Sequence, residues 1–201
     1  MTDVLVRDAN ESDIDGLREL FMASYAGAYP FEGFLDRNWL LRSVYRDDIQ
    51  VLVATDADSG ELLGTGSVVF DLGTDSDLLG EFGRLAVHPA ARGKGVGRAI
   101  MAGRCRFAEA RMHVAIAQNR CIHPFSQRVS RAFDFAPVGF LPMKYLMSFR
   151  ESVVLWARHF GQAFEHRRNH PRVIPEVHGL ASLALTNCGL PDDAVIDEAA
   201  E

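Results

Sequence analysis

The stretch HPAARGKGVGRAIMAG, residues 88–103, decides how the chain is read. Gly93, Gly95 and Gly97 alternate with Arg92, Lys94 and Arg98, and an apolar helical pattern follows at once, predicting a helix over about 95–111. Glycine reaches φ > 0 without steric cost and lets a ligand come close to the main chain. The start of a helix presents N–H groups that lack intrahelical partners, together with a partial positive charge. A cationic glycine turn in front of a helix therefore reads as an anion site. The bland alternative is a basic turn that holds nothing. A Walker A loop is excluded because the order G-x-x-x-x-G-K-[ST] is absent. A dinucleotide fingerprint would need a third glycine at 98 or 100, where Arg98 and Ile100 stand.

Working outward, DVLVRDA reads as a strand and NESDIDGLRELFMASYAG as an amphipathic helix, with Ile14, Leu17, Leu20 and Phe21 on one face. Asn10 and Asp13 have the spacing of a capping box at its start. A second helical pattern surrounds LDRNWLLRSVYR, and IQVLVATDADSGELLGTGSVVFDL reads as two strands joined at Asp58-Ser59-Gly60. EFGRLAVH is a strand leading into the glycine turn, HVAIAQNRCI a strand, PFSQRVSRAF a helix and VGFLPMKYLM a strand. These elements make a mixed α/β domain over residues 1–148. From Ser148 the pattern turns helical: Ser148 and Glu151 have capping-box spacing, and Val153, Trp156, Ala157, Phe160 and Phe164 make a helical stripe. Pro175 suits the first turn of a further helix ending near Gly189. Residues 149–201 are thus expected to be a helical extension packed on the domain or at an interface, its tail beyond about 190 frayed and the basic EHRRNHPR a solvated face.

The 201 residues carry a formal net charge of −6, which argues against a general affinity for nucleic acid or anionic membrane. Cys105, Cys121 and Cys188 form no CxxC pair, so neither a disulfide framework nor a zinc site is expected, and a reducing, cytoplasmic setting is. No apolar run reaches membrane-spanning length.

Read as Arg-x-x-Gly-x-Gly on Arg92, Gly95 and Gly97, and placed after the strand and the His88-Pro89 turn, GRLAVHPAARGKGVGRAIM resembles the pyrophosphate loop of the GNAT superfamily of acyl-CoA-dependent N-acyltransferases. The resemblance covers roughly residues 3–147. It implies an α/β (α+β) fold with a mixed, mostly antiparallel central sheet flanked by helices. It also implies acetyl-CoA, or another acyl-CoA, as co-substrate and no metal. The main-chain N–H groups of Gly93, Lys94, Gly95, Val96, Gly97 and Arg98 would cradle the pyrophosphate. Lys94 and Arg98 would add charge there or at the 3′-phosphate. Leu85, Ala86 and Val87 hold the place where the family's strand parts from its neighbour and offers main-chain groups to the pantetheine arm and the thioester carbonyl.

Other site residues follow from the same comparison. An amine is mostly protonated at neutral pH and must lose a proton before it attacks. Glu81 stands eleven positions before Arg92, where several GNAT enzymes carry a glutamate base. Its other reading is a strand-end carboxylate facing water. Asn119 and His123 are candidates for contact with the pantetheine, and His123 is equally a cap before Pro124. The family's usual tyrosine acid is missing, since aligning Phe133-Asp134-Phe135 with the usual LGF puts Ser130 in its place. Tyr145 is the substitute, with core packing as its other role. The segment between the first two helices walls the acceptor pocket in the family. Here it brings Tyr25, Tyr29, Phe31, Phe34 and Trp39, with Glu32 to meet an amine's positive charge. The same aromatics could instead seal the core or a homodimer contact.

Two functions of different kind fit this pattern. One is an N-acyltransferase, most simply an N-acetyltransferase, acting on a small-molecule or protein amine. The other is an acyl-CoA-binding sensor or assembly module that keeps the fold without the chemistry. A third keeps catalysis and changes the donor to a longer acyl chain or a carrier-protein thioester.

Overall fold

The computed structural model describes residues 3–25, 29, 31–70, 72–73, 77–168 and 170–198. Strand β1 (Val4–Asp8) leads to helix α1 (Ile14–Tyr25), α2 (Arg37–Val44), β2 (Ile49–Asp56), β3 (Leu62–Val69) and β4 (Leu79–Val87). Then come α3 (Val96–Ala108), β5 (Val114–Arg120), α4 (Phe125–Arg131), β6 (Ala136–Leu146) and β7 (Arg150–His159). A short strand β8 (Arg172–Val173), helix α5 (Pro175–Asn187) and strand β9 (Val195–Ile196) close the chain. Seven strands form one sheet in the order β1-β2-β3-β4-β5-β7-β6. β4 and β5 are parallel, and every other neighbouring pair is antiparallel. The expected mixed, mostly antiparallel sheet flanked by helices is what the chain forms.

The start of α1 is built as its sequence spacing predicts. The side chain of Asn10 accepts from Ser12 N–H, and Asp13 accepts from Asn10 N–H at 2.9 Å, although the first turn winds as a 3-10 helix over Glu11–Asp13. Asp13 is buried and also takes two hydrogen bonds from Arg7, at 2.7 and 2.8 Å. The buried face of α1, Ile14, Leu17, Leu20 and Phe21, meets Phe34, Leu40 and Val53 on one side of the sheet. On the other side α3 presses Val96 and Ile100 onto β3 so closely that glycine is needed beneath. A Cβ on Gly64 would lie 2.9 Å from Val96 Cγ1, and one on Gly66 2.7 Å from Ile100 Cγ2.

Residues 150–159 depart from expectation: they are strand β7, lying between β5 and β6, and not a helix. The sheet therefore runs to His159, past the boundary expected at 148, and the helical part of the extension is α5. An interior strand with both faces covered carries apolar side chains on both sides, so its pattern loses strict alternation and mimics a helical stripe. Glu151, read as a cap, is instead a buried carboxylate that accepts from Arg120 Nε and Nη2 at 2.6 Å each. The tail departs too. β9 pairs in parallel with β8, and Asp193 and Asp197 accept from Arg167 and Arg172, at 2.9 and 2.7 Å. The basic stretch is largely exposed, as expected, but Arg167 and Arg172 also clasp the carboxylates of the tail. The hydrogen bonds from Arg167, and then that from His170, hold the Asp193 carboxyl down at about 2. Helix α5 ends on Gly189 (φ 71°), with the Leu190 N–H returning to Leu185 O. None of its residues is buried. Among the described residues no helix is long and apolar enough to cross a membrane.

Two outcomes test this construction. Burial pushes the Asp13 carboxyl up, but the hydrogen bonds from Arg7 and Asn10 N–H outweigh it and hold it below its usual value. Asp13→Asn is expected to cost about 2 kcal/mol at pH 7. A lowered carboxylate stabilises fully above its unfolded value and loses that contribution as pH falls through its folded value. The gap between wild type and variant in urea midpoint should therefore close in acid. Glu151→Ala leaves the Arg120 guanidinium half-buried without its partner and should cost about 3 kcal/mol in urea unfolding.

Candidate active site

The glycine turn is shaped by its own sequence. His88 Nδ1 accepts from Ala90 N–H at 3.4 Å, and Pro89 opens a single 3-10 turn over Pro89–Ala91. Arg92 then runs extended, and Gly93 (φ 79°) and Gly95 (φ 84°) adopt the left-handed conformation before α3 begins at Val96. No side chain caps α3. The N–H groups of Gly93, Gly95, Val96, Gly97 and Arg98 donate to no acceptor among the described residues. A Cβ built on Gly93 or Gly95 would meet nothing within 4 Å, so no packed side chain lies across the turn. Val96 is buried and contributes only its main chain to the mouth, whereas Arg92, Lys94 and Arg98 are exposed. Arg98 leans 5.7 Å over the ring of Phe133. Open amides, left-handed glycines and three cations fit a pyrophosphate group.

β4 leads into this turn after parting from β5. The two strands pair over Leu79, Gly80 and Glu81, opposite Val114, Ala115 and Ile116, and no further. The β3–β4 register slips between Thr65 and Ser67, opposite Arg84, which has φ 56°. This is a bulge, which bends and twists its strand. Beyond it His88 N–H donates to Leu63 O, so His88 and Ala86 turn their main-chain groups toward β3, and Leu85 and Val87 turn theirs away, into the gap. The Leu85 and Val87 carbonyls there accept long contacts, 3.4 Å each, from Tyr25 Oη and Ser24 Oγ of α1. Behind the bulge the fully buried Arg104 of α3 donates to Gly83 O at 3.2 Å, with its guanidinium 5.1 Å from the Phe82 ring. Burial pulls Arg104 down to about 10, which still leaves it charged at neutral pH.

Glu81 is the last paired residue before the fork. Its Oε1 accepts from Gln118 Nε2 at 3.4 Å, and Gln118 Oε1 in turn accepts from Tyr145 Oη at 3.3 Å and from Lys144 Nζ. Burial, and then the charge of Glu81, push the Tyr145 phenol up, with Arg84 opposing. Tyr25 and Tyr29 are also pushed up by burial. Tyr145 thus stands with Glu81, a placement that follows from strand register and could not be read from spacing.

The remaining candidates fall in three groups. Tyr29 packs against Tyr25 and Phe21, at ring distances of 4.6 and 4.9 Å, and Phe34 and Trp39 complete a cluster that covers the core. Phe31, 5.7 Å from the Tyr29 ring, and Glu32 lie exposed at its edge, while residues 26–28 and 30 of this segment fall outside the described residues. Asn119 is buried and its Nδ2 donates to Ser130 Oγ at 2.7 Å. Ser130 is thereby 1% exposed and turned into the core, so it does not stand where an acid would be needed. His123 is exposed with its ring 5.0 Å from Phe125. Asp134, where the family's glycine is usual, has φ 59°, a conformation Asp tolerates better than most residues. The substitution keeps the turn. Arg84 and Gln118, both close to Glu81 in the site, escaped the reading of the sequence. The one signal for Arg84 was a second charge, beside Glu81, inside a largely apolar strand. Among the described residues no group of three or more His, Cys, Asp or Glu is placed to hold a metal.

The fold and its glycine turn are of the GNAT type. Residues 47–130 match the family model of the acetyltransferase (GNAT) domain. No protein of curated function matches the chain in sequence. Among solved structures, the ribosomal-protein-alanine N-acetyltransferase of Brucella melitensis is 25% identical, with a TM-score of 0.67 over 78% of this chain and 99% of that one. A phosphinothricin acetyltransferase of Sinorhizobium meliloti, solved with acetyl-CoA, is 19% identical, with a TM-score of 0.69 over 84% and 94%. The spermidine/spermine N-acetyltransferase SpeG of Vibrio cholerae is 15% identical, with a TM-score of 0.65 over 83% and 100%. Residues 47–130 thus belong to a GNAT acetyltransferase domain, and the chain around them has the fold of that superfamily.

Gly95→Val puts a β-branched residue at a φ of 84° and should abolish acetyl-CoA binding in calorimetry while leaving the far-ultraviolet circular dichroism spectrum unchanged.

Proposed function

We propose that the protein is an acetyl-CoA-dependent N-acetyltransferase in which an amine attacks the thioester directly. The observation that carries this reading is the juxtaposition at the fork: a carboxylate, Glu81, on the last paired residue of β4, followed by a parted strand that runs into an open, amide-lined turn. The main-chain amides of Gly93, Gly95, Val96, Gly97 and Arg98 and the charges of Arg92 and Lys94 hold the pyrophosphate; the Lys94 N–H, expected in this cradle, is taken by the Ala91 carbonyl instead. The N–H of Leu85 or Val87, facing the gap, stabilises the negative charge that grows on the acyl oxygen. Acetyl-CoA supplies the acyl group as a thioester.

Glu81 takes a proton from the ammonium, directly or through a water, and the freed nitrogen forms the C–N bond as the C–S bond breaks. The ammonium gives up two protons in all. One leaves through Glu81 to solvent and the other ends on the sulfur. Tyr145 is the donor this reading prefers, since burial keeps its hydroxyl protonated and it shares Gln118 with Glu81. The solved structures of this fold are named for acetylating a ribosomal-protein alanine, phosphinothricin and spermidine/spermine, so the fold leaves the acceptor open. The acyl-CoA-binding module rested on Ser130 and Asp134. Asp134 lends it little weight, because a left-handed Asp preserves the local turn.

A thiol-release assay with acetyl-CoA and a panel of amines tests the proposal. Glu81→Gln should lower kcat/KM about a hundredfold, with the affinity for acetyl-CoA retained. Coenzyme binding with no turnover of any amine, and no effect of Glu81→Gln, would replace the enzyme with the binding module.

A further inference from the structure

Arg84 is a charge without a counter-charge. It sits at the bulge of β4 with φ 56°, a conformation that costs a non-glycine residue on the order of 1 kcal/mol or more. Its Nε and Nη1 are shut off from solvent and have no hydrogen-bond partner. Nη2 bonds no protein group either and is the guanidinium nitrogen that solvent reaches. The plane lies 5.8 Å from the ring of Phe34, in the aromatic cluster that walls the cleft. Arg84 also lines a void of about 10 Å3 with Thr65, Ser67 and Phe34, room for about one water.

The arginines that do have partners sharpen the contrast. Arg7 and Arg120 each fork onto a carboxylate; Arg104, whose Nε is also unpartnered, at least donates to the Gly83 carbonyl. Arg84 is three residues from Glu81, yet the two make no ion pair; Glu81 turns to Gln118 instead. The Glu81 carboxyl carbon lies 3.7 Å from where a Cβ on Gly83, the neighbour of Arg84, would stand, and both charges act with opposite sign on Tyr29 and Tyr145. Leaving a partly buried guanidinium unpaired costs free energy, and an anion that arrives with the ligand would recover it. Nη2, the guanidinium nitrogen not shut off, can donate a charge-assisted hydrogen bond to one oxygen of a carboxylate.

We propose that Arg84 is the acceptor-recognition residue of the cleft and binds a carboxylate carried by the amine substrate, so that the acceptor is an amino acid or a close analogue. The inference rests on the acetyltransferase reading above and narrows it. The acceptor spans two unpaired charges of the protein, its ammonium toward Glu81 and its carboxylate toward Arg84. Simple polyamines, which bring a second cation to Arg84, are disfavoured.

The test uses matched pairs, each of the natural apolar and aromatic amino acids against its carboxamide, titrated calorimetrically into the full-length protein loaded with coenzyme A. The amino acid of at least one pair should bind 10- to 100-fold more tightly than its amide, the size expected of charge-assisted hydrogen bonds. Arg84→Asn, a neutral residue that tolerates the left-handed backbone, should bring that ratio within about threefold of unity, and Arg84→Lys should restore part of it. Equal affinity within every pair, no binding of any amino acid, or a preference that survives in Arg84→Asn overturns the inference and leaves a buried water as the partner of Arg84. Thiol release with the same pairs separates the two readings. Turnover of neutral amines without dependence on Arg84 defeats this inference alone. Carboxylate-selective binding without turnover of any amine defeats the acetyltransferase reading alone.

Discussion

β4 pairs with β5 for three residues and then lets go. Strand backbones released from a ladder must find other partners, because unpaired main-chain groups are costly wherever water is excluded. Here the release is engineered from both sides of the sheet. The bulge at Arg84 turns the strand away, Arg104 reaches from beneath α3 to occupy the Gly83 carbonyl, and Ser24 and Tyr25 of α1 touch the carbonyls of Val87 and Leu85. β5 pairs with β7 along its length on its other edge. The gap is held open by these competing partners and does not depend on flexibility, and the glycine turn sits at its end because α3 is seated directly on β3.

That seating explains why some glycines serve the fold and others the site. Gly64 and Gly66 are small because α3 lies against them, and any Cβ would strike Val96 or Ile100. Gly93 and Gly95 face open space and are glycine for their backbone angle. One residue type thus meets two unrelated demands within the same β–turn–α unit.

The parts of the molecule legible in its sequence are those in which a local rule dictates residue type. A left-handed turn before a helix demands glycine, and a capping box demands short polar side chains, so residues 92–98 and Asn10 with Asp13 could be read correctly. β7 could not, because buried apolar side chains lie on both its faces, and Val153, Trp156 and Ala157 then fall into helical spacing. The network of Glu81, Gln118 and Tyr145 joins three strands distant in sequence. Its existence depends on register, which no single segment encodes. Ser130, read at the tyrosine position, is drawn into the core by its partner Asn119. The acidic tail and the basic stretch before α5 each looked solvated; only their mutual attraction, across about twenty-five residues of chain, makes them a pair.

That pairing has a consequence for how α5 is kept in place. The helix buries none of its own residues, so its docking on β6, marked by Asn187 Nδ2 donating to Pro137 O at 2.8 Å, borrows firmness from the knot where the chain re-crosses itself at β8 and β9. The knot is tied largely by guanidinium and carboxylate groups open to electrolyte, whose attraction weakens with ionic strength. The hold on the last helix is thereby set by the salt around it, while the sheet beneath, closed by apolar contact, is indifferent to the same change.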